Sequence, residues 1–214
     1  MPTAGPVKRP PSSSTADAIR LASLALSRGC RESEVFAESP EGHGLIGKMA
    51  AMAVEEEVGR LLVTRGWHIA VAETSTGGFI GYLLTSVPGS STYFDRSIVA
   101  YSNQAKETSL VLPPATLQQQ GAVSLLTVLA MATNVRGLSQ VEVGLAVTGL
   151  TGPRIGRSSK PIGLTYVAIV LPRVTLWWEG VIPGERTAIQ RQSALKSLEM
   201  LRDALRRYAK VPKL

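Results

Sequence analysis

The amino-acid sequence predicts an α/β fold in which a mixed, mostly parallel sheet carries helices on both faces. From about residue 48 onward, short apolar segments typical of buried strands alternate with segments that have the apolar spacing of helices. Strands separated by helices pair in parallel and place helices on both sides of the sheet. The last two apolar segments are separated only by Pro172 and Arg173, and so short a connection permits only an antiparallel pair.

The helices are expected from the spacing of apolar residues and from the residues that end a helix. In the first helix, at 49–65, Val54 and Val58 share one face with two leucines. Gly66 stands where a helix commonly ends. The other helices are expected just after Gly78, at 103–110, as a pair between about 114 and 137 around Gly121, and at 186–210.

The strands are expected where short apolar runs are bounded by turn-forming residues. They fall at 68–72, 97–101, 142–147, 162–171 and 174–182. In open α/β sheets, ligands bind beyond the carboxyl ends of the strands. The polar segments 73–78, 101–106 and 148–160 follow the first three strands, so we expect a functional site where these segments meet.

Composition excludes several classes of protein and of site. Hydrophobic residues make up 44% of the 214 residues and charged residues 18%, which is enough apolar material for a sizeable core. No apolar run reaches the roughly 18 residues of a membrane span. Cys30 is the only cysteine and there are two histidines, so we expect no disulfide, no metal site and a reduced, cytoplasmic setting.

The first 47 residues differ from the rest and are expected to form an extension of a domain at 48–214. Residues 1–15 are rich in Pro and Ser, residues 16–28 have the pattern of a short amphipathic helix, and residues 32–47 have the composition of a linker. The basic start mildly resembles a mitochondrial presequence, although an ordinary tail is the simpler interpretation. Mitochondrial import is therefore the alternative to a cytoplasmic location.

The net charge of +7 is concentrated in the C-terminal segment 186–214, which holds eight basic residues against two acidic ones. A basic helix can bind nucleic acid, but no interleaved aromatic residues or nucleic-acid motif accompany it here. Cations near the end of a solvated helix also suit the helix dipole. We expect no nucleic-acid partner, and electrostatic binding of nucleic acid is the weakest of three functional hypotheses.

The segment ETSTGG, from Glu73 to Gly78, places hydroxyl groups at the entrance to a helix. Free backbone N–H groups and the positive end of the helix dipole suit a phosphate there, or the oxyanion formed when a hydroxyl attacks a carbonyl. Serine and threonine are also preferred as ordinary N-caps. The segment alone leaves both interpretations open.

The segment YSNQAK, residues 101–106, supplies a base for such a hydroxyl. A helix beginning at Asn103 would direct Tyr101 and Lys106 towards one cleft. A lysine removed from water can lose its proton near neutral pH, and serine–lysine pairs are an accepted form of nucleophilic catalysis. The alternative is that Lys106 is a surface lysine and Tyr101 a core residue with a solvated hydroxyl.

The segments TGLTGP, residues 148–153, and KPIG, residues 160–163, bracket a loop that contains Arg154 and Arg157. Backbone N–H groups and cations of this kind can hold a phosphate. The spacing matches neither a Walker A motif nor GxGxxG, so this pattern by itself is weakly specific.

In order along the chain, AETSTGG, TSVPGSS, VAYSNQAK, QQQGAVS, AVTGLTGP and KPIG resemble the C-terminal domain of the CinA family, the competence/damage-inducible proteins and nicotinamide-nucleotide amidohydrolases. The likeness covers roughly residues 50–210, without the molybdopterin-binding-like domain of two-domain members. It implies a three-layer α/β/α sandwich with a five-stranded mixed sheet. It also implies hydrolysis of nicotinamide mononucleotide to nicotinate mononucleotide and ammonia, no metal or organic cofactor, and a homo-oligomer.

The resemblance further implies a set of site residues. The nucleophile position of the family's ESCTGG motif falls on Thr74, and its cysteine position falls on Ser75, the less favoured nucleophile. Tyr101 and Lys106 match the family's tyrosine and lysine. The residues expected to bind the substrate are Glu73, Thr76, Gly77, Gly78, Gly89, Ser90, Ser91, Asn103, Thr148, Gly149, Gly152, Lys160 and Arg186.

The motifs depart from the family pattern at several positions. Threonine replaces the nucleophilic serine, and its methyl group restricts the rotamers from which the hydroxyl can attack. The acidic residue after GAVS is Leu125, and the family's GPGG loop reads GPRIG at 152–156. These changes motivate the second hypothesis, a non-catalytic nucleotide-binding or regulatory protein with a degenerate active site.

Overall fold

The computed structural model describes residues 52–153 and 159–208, and the predictions for the N-terminal 47 residues lie outside this part of the chain. Helices and strands alternate along its first part, after which three consecutive helices and three consecutive strands precede the last helix. The helices are α1 (Val54–Arg65), α2 (Phe79–Ser86), α3 (Asn103–Ser109), α4 (Pro114–Gln120), α5 (Leu125–Ser139) and α6 (Arg186–Arg207). The strands are β1 (Ile69–Glu73), β2 (Phe94–Val99), β3 (Val143–Gly149), β4 (Leu164–Val170) and β5 (Thr175–Val181).

The five strands form one mixed sheet in the order β2-β1-β3-β4-β5, which confirms the predicted α/β class. β1 pairs in parallel with both β2 and β3, whereas β3 with β4 and β4 with β5 pair antiparallel. The predicted closing hairpin is therefore present, and the sheet has as many antiparallel as parallel pairings. β1, β2 and β3 end on the same side, here called the carboxyl edge.

Helices cover both faces of the sheet, and side-chain size differs between the two faces. On one face, α1, α2 and α6 pack over larger side chains such as Ile69 and Val71 of β1. On the other face, α4 and α5 pack over Ala70, Ala72 and Ala146. These are called the α6 face and the α5 face below. The small alanine side chains let α5 lie close to the sheet, because little volume separates the helix from the strand backbones.

Several elements begin or end away from their predicted bounds. The prediction for β2 is 97–101, but the strand spans Phe94–Val99. It is an edge strand with exposed Asp95 and Arg96, so its first half lacks the apolar pattern of a buried strand. β3 continues to Gly149, which makes polar Thr148 a buried strand residue rather than part of a loop.

Replacing Gly144 of β3 by alanine is expected to lower the free energy of unfolding by about 1–3 kcal/mol, because a Cβ there would overlap the backbone carbonyl oxygen of Ala132 in α5. Gly137→Ala in α5 is the matched control. A Cβ at Gly137 meets no atom within 4 Å, and alanine stabilises a helix interior by up to about 1 kcal/mol. Chemical denaturation measures both, and equal effects would contradict a tight contact between α5 and β3.

Candidate active site

The carboxylate of Glu73, the last residue of β1, is fully buried and organises the carboxyl edge. Its oxygens accept hydrogen bonds from five donors: Thr76 Oγ1 (2.7 Å), Gly78 N (3.0 Å), Ile80 N (3.1 Å), Gly81 N (2.9 Å) and Ser97 Oγ (2.8 Å). α2 follows Gly78 without a side-chain cap of its own, so a carboxylate from the strand satisfies its first N–H groups. The hydroxyl groups of ETSTGG do not cap this helix.

Thr74 and Ser75 lie on opposite faces of the sheet. Side chains alternate along a strand, and the Thr74 N–H continues the pairing of β1 with β3 by donating to the Val147 carbonyl oxygen at 3.2 Å. Thr74 therefore shares the α5 face with Ala72, and its Oγ1 also donates to the Val147 carbonyl, at 3.2 Å. Ser75 lies towards α6, and its Oγ is buried without a hydrogen-bond partner in the described part of the chain.

The chain reverses in a turn from Thr74 to Gly77, in which the Gly77 N–H donates to the Thr74 carbonyl oxygen at 3.2 Å. Gly77 and Gly78 have φ angles of 65° and 100°, in the left-handed region that glycine tolerates best. Gln190 of α6 donates from Nε2 to the Ser75 carbonyl oxygen at 3.0 Å. Hydrogen bonds thus fix the first and last residues of the turn, Thr74 and Gly77, and the carbonyl of its middle peptide group, that of Ser75.

Lys106 of α3 is only 2% exposed, which contradicts the alternative interpretation of a surface lysine. Its Nζ donates to the carbonyl oxygens of Tyr101 (3.1 Å) and Ser102 (3.4 Å). No carboxylate among residues 52–153 and 159–208 pairs with it. Burial lowers the pKa of the Lys106 ammonium. Ala105 and Leu110, which flank Lys106 along the chain, pack in the α5-face core, so α3 lies on the side of the sheet that Thr74 occupies.

Tyr101 contacts Lys106 through its backbone and Arg186 through its side chain. The phenol is 59% exposed rather than part of the core, and its oxygen accepts a hydrogen bond from Arg186 Nη2 at 2.6 Å. Nη1 of the same guanidinium donates to the Gly152 carbonyl oxygen at 2.6 Å. Because β1 lies between β2 and β3, this bridge between the two following loops spans the end of β1.

Thr148 and Lys160 hold the backbone that precedes α5. Thr148, which is 1% exposed, donates from Oγ1 to the Ala122 carbonyl oxygen at 2.9 Å, and Lys160 Nζ donates to the Val123 carbonyl oxygen. Strand pairing places Thr148 next to Thr74 on the α5 face. Gly149 comes close to Ser75 on the other face: a Cβ on this glycine would stand 3.2 Å from the Ser75 hydroxyl oxygen.

The structure does not bring every predicted residue to this edge. Residues 89–91 follow the C-terminal end of α2, and the Tyr93 carbonyl oxygen after them accepts from the N–H of Ile69, the first residue of β1. The length of β1, roughly 15 Å at 3.3 Å per residue, separates that point from Thr74. Gly89, Ser90 and Ser91 therefore lie at the opposite edge of the sheet.

Asn103, the first residue of α3, is by contrast at the carboxyl edge, where its side chain is exposed.

Two residues of the site were missed by sequence reasoning. Ser97 bonds to Glu73 from β2, where the predicted strand only begins. Gln190 bonds to the Ser75 carbonyl from the basic C-terminal helix, whose polar positions were interpreted as solvent-facing. Its place next to the apolar Ile189, in the first turns after Arg186, is the one signal that could have pointed to it.

Several basic residues of α6 are engaged with other groups of the chain. Arg206 pairs with Glu57 of α1 at 2.6 Å, and Arg202 pairs with Asp203 at 2.7 Å. Lys196 lies over the Trp178 ring, 5.5 Å from its centroid. The pair with Glu57 neutralises one cation of α6, and the contact of Lys196 with Trp178 holds a second against the protein, which counts against the nucleic-acid hypothesis.

No group of three metal-ligating side chains that could hold an ion occurs within residues 52–153 and 159–208. In the same ranges, none of the helices combines the length and the apolar character needed to cross a membrane.

A family model described as the CinA C-terminal domain matches residues 51–205. A competence-damage inducible protein of Desulforudis audaxviator is 40% identical over 171 residues, which are 78% of this chain and 41% of that protein. A CinA-like protein of Syntrophobacter fumaroxidans is 39% identical over 168 residues, 78% of this chain and 39% of that protein. The chain thus spans about two fifths of the length of these curated relatives.

Solved structures share the fold over most of their length. A CinA superfamily protein from Klebsiella pneumoniae superposes with a TM-score of 0.70 at 26% identity, covering 72% of this chain and 97% of the other. The competence/damage inducible protein CihA from Agrobacterium tumefaciens gives a TM-score of 0.64 at 36% identity, covering 76% and 99%. Both comparisons confirm the predicted fold class and agree with the motifs found in the sequence.

Glu73→Gln is expected to lower the free energy of unfolding by about 2–4 kcal/mol, because an amide nitrogen would face N–H and O–H donors that now bond to a carboxylate oxygen. Urea denaturation measures the loss. Glu56→Gln is the control, since Glu56 is exposed in the first turn of α1 and its exchange should cost no more than about 0.5 kcal/mol. Similar losses for both variants would show that Glu73 does not organise this edge.

The pH dependence of stability is expected to depend on Lys106. Because its pKa is lowered in the folded state, the unfolded chain binds this proton more tightly, and folding is penalised until the unfolded lysine also deprotonates near pH ~10.4. The free energy of unfolding of the wild type should therefore rise, relative to Lys106→Met, as pH increases from the lowered pKa towards about 10.4. Urea denaturation at several alkaline pH values tests this, and parallel curves would contradict a lowered pKa.

Proposed function

Since the chain belongs to the family of the CinA C-terminal domain, we propose that it hydrolyses the carboxamide of nicotinamide mononucleotide to nicotinate mononucleotide and ammonia. The observation that carries the proposal is the buried amine of Lys106, which pairs with no carboxylate of residues 52–153 and 159–208 and belongs to a helix on the face that Thr74 occupies. A hydroxyl and a lysine that can lose its proton are the groups that nucleophilic amide hydrolysis requires.

The hydrogen bonds of Lys106 suit a general base. A neutral amine has two N–H donors and one lone pair, and the two carbonyl acceptors, Tyr101 and Ser102, can use both donors. The lone pair is then free to accept a proton. The Thr74 hydroxyl, which donates to the Val147 carbonyl oxygen in the structure, has to turn from that carbonyl to the amine for the transfer. Burial favours this neutral form because it penalises the charged ammonium.

In the proposed reaction, Thr74 Oγ attacks the carboxamide carbon while Lys106 takes its proton. The resulting oxyanion is stabilised by the Thr76 N–H, because the Gly77 N–H is already bonded to the Thr74 carbonyl. The C–N bond then breaks, and Lys106 returns the proton to the departing ammonia. Water hydrolyses the Thr74 ester to release nicotinate mononucleotide and restore the hydroxyl.

Electrostatics at the carboxyl edge supports an anionic substrate. α5 has Ser124 as its N-cap and no acidic residue in its first turn, so its own side chains do not neutralise the positive end of its dipole. At α6 the first turn also lacks an acidic residue, but the N-cap is Glu185. Lys160 and Arg186 add positive charge near the same edge. The phosphate of a mononucleotide is the group that such a surface would attract.

Thr74 is favoured over Ser75 as the nucleophile by the pleat of β1. Ser75 lies on the α6 face, away from Lys106, and only a rearranged turn would bring its hydroxyl to the amine. The threonine methyl narrows the rotamers available for attack, so serine at this position should react faster.

Ammonia release from nicotinamide mononucleotide tests the mechanism in the wild type and four variants. Thr74→Ala and Lys106→Ala should each lose at least about two powers of ten in kcat/KM, since each removes a reacting group. Ser75→Ala should retain activity, and Thr74→Ser should exceed the wild type. Activity should also rise with pH through the lowered pKa of Lys106. Equal rates in Thr74→Ala and the wild type would eliminate this nucleophile.

The departures from the family motif also favour testing a second function, a nucleotide-binding protein without turnover. Calorimetry with nicotinamide mononucleotide separates the two. Binding without ammonia release would support the non-catalytic protein, and absence of both binding and turnover would contradict both functions.

A further inference from the structure

We infer that Gln190 of α6 is a positioning residue that anchors the Ser75 carbonyl and thereby aims the Thr76 N–H at the oxyanion. The inference rests on the proposed function and adds a residue to that site. Gln190 reaches the turn from a helix 115 residues further along the chain, and its Nε2 lies 3.0 Å from the Ser75 carbonyl oxygen. The side chain is half-buried, so water competes less for this bond than at the surface.

The Ser75–Thr76 peptide group is the part of the turn most able to rotate. In a four-residue turn, the two common types differ by a flip of the middle peptide, which here joins Ser75 to Thr76. The flipped type needs a positive φ at Thr76, which β-branched residues avoid and which Thr76 does not have. Gln190 restrains the same peptide from its carbonyl side, so two independent features keep one orientation.

This orientation decides where the Thr76 N–H points. The carbonyl and N–H of a trans peptide group point in opposite directions, and the Ser75 carbonyl points to α6. The Thr76 N–H therefore points away from α6, towards the side that carries Thr74 and Lys106. No residue within the described ranges accepts this N–H, whereas the Gly77 N–H is bonded to Thr74.

Gln190→Leu tests the inference, because it keeps the size of the side chain and removes the donor. Gln192→Leu is the matched control on an exposed position of the same helix. In Gln190→Leu we expect kcat for ammonia release to fall about tenfold with KM changed less than about twofold, because removal of a whole oxyanion donor costs about two to three powers of ten. Gln190→Arg should restore kcat, since a guanidinium can donate to the same carbonyl.

Amide hydrogen exchange of residues 75–77 provides a readout that does not need turnover. It should be faster in Gln190→Leu than in the wild type and unchanged in Gln192→Leu. Unchanged exchange or unchanged kcat in Gln190→Leu would overturn the role of Gln190. A wild type that releases no ammonia would overturn the proposed reaction instead, and the exchange data would then decide the anchoring alone.

Discussion

One buried carboxylate determines how the carboxyl edge is built. Glu73 joins the end of β1 to the start of α2 and to the edge strand β2, because donors from the following turn, from α2 and from β2 bond to its two oxygens. A charge so placed is stable only when every lone pair is used, so the turn that follows has little freedom. The same carboxylate neutralises the positive end of α2, which leaves backbone N–H groups and cations from other elements to bind an anion.

Lys106 shows the opposite use of burial. The Glu73 carboxylate accepts hydrogen bonds from five donors, whereas the Lys106 amine has only neutral carbonyl acceptors among the described residues. Burial of an ammonium in such surroundings costs stability and raises the share of neutral amine, the form that can accept a proton, at moderate pH. The two buried ionisable groups thus differ in their surroundings: Glu73 fixes the geometry of the turn, and Lys106 has the environment that the proposed role of proton acceptor requires.

Most of the fold could be predicted from the sequence, because buried strands and amphipathic helices leave a strong apolar pattern. β2 was misplaced because half of an edge strand faces water, as at Asp95 and Arg96, and has no such pattern. That the three polar segments meet could be predicted from strand topology. The hydrogen bonds within and between them could not. Which face Thr74 takes, and that Gln190 reaches Ser75, depend on register and on a contact between distant parts of the chain.

The small side chains of Ala70, Ala72 and Ala146 pack directly between α5 and the sheet. A close-packed interior has low compressibility and transmits strain instead of absorbing it. A displacement of α5, caused for example by binding at its outer side, would therefore be transmitted to the backbones of β1 and β3. Alanine has no side-chain rotamers that could absorb it. Thr74, the proposed nucleophile at the end of β1, would in this way respond to a displacement that begins on the far side of the helix.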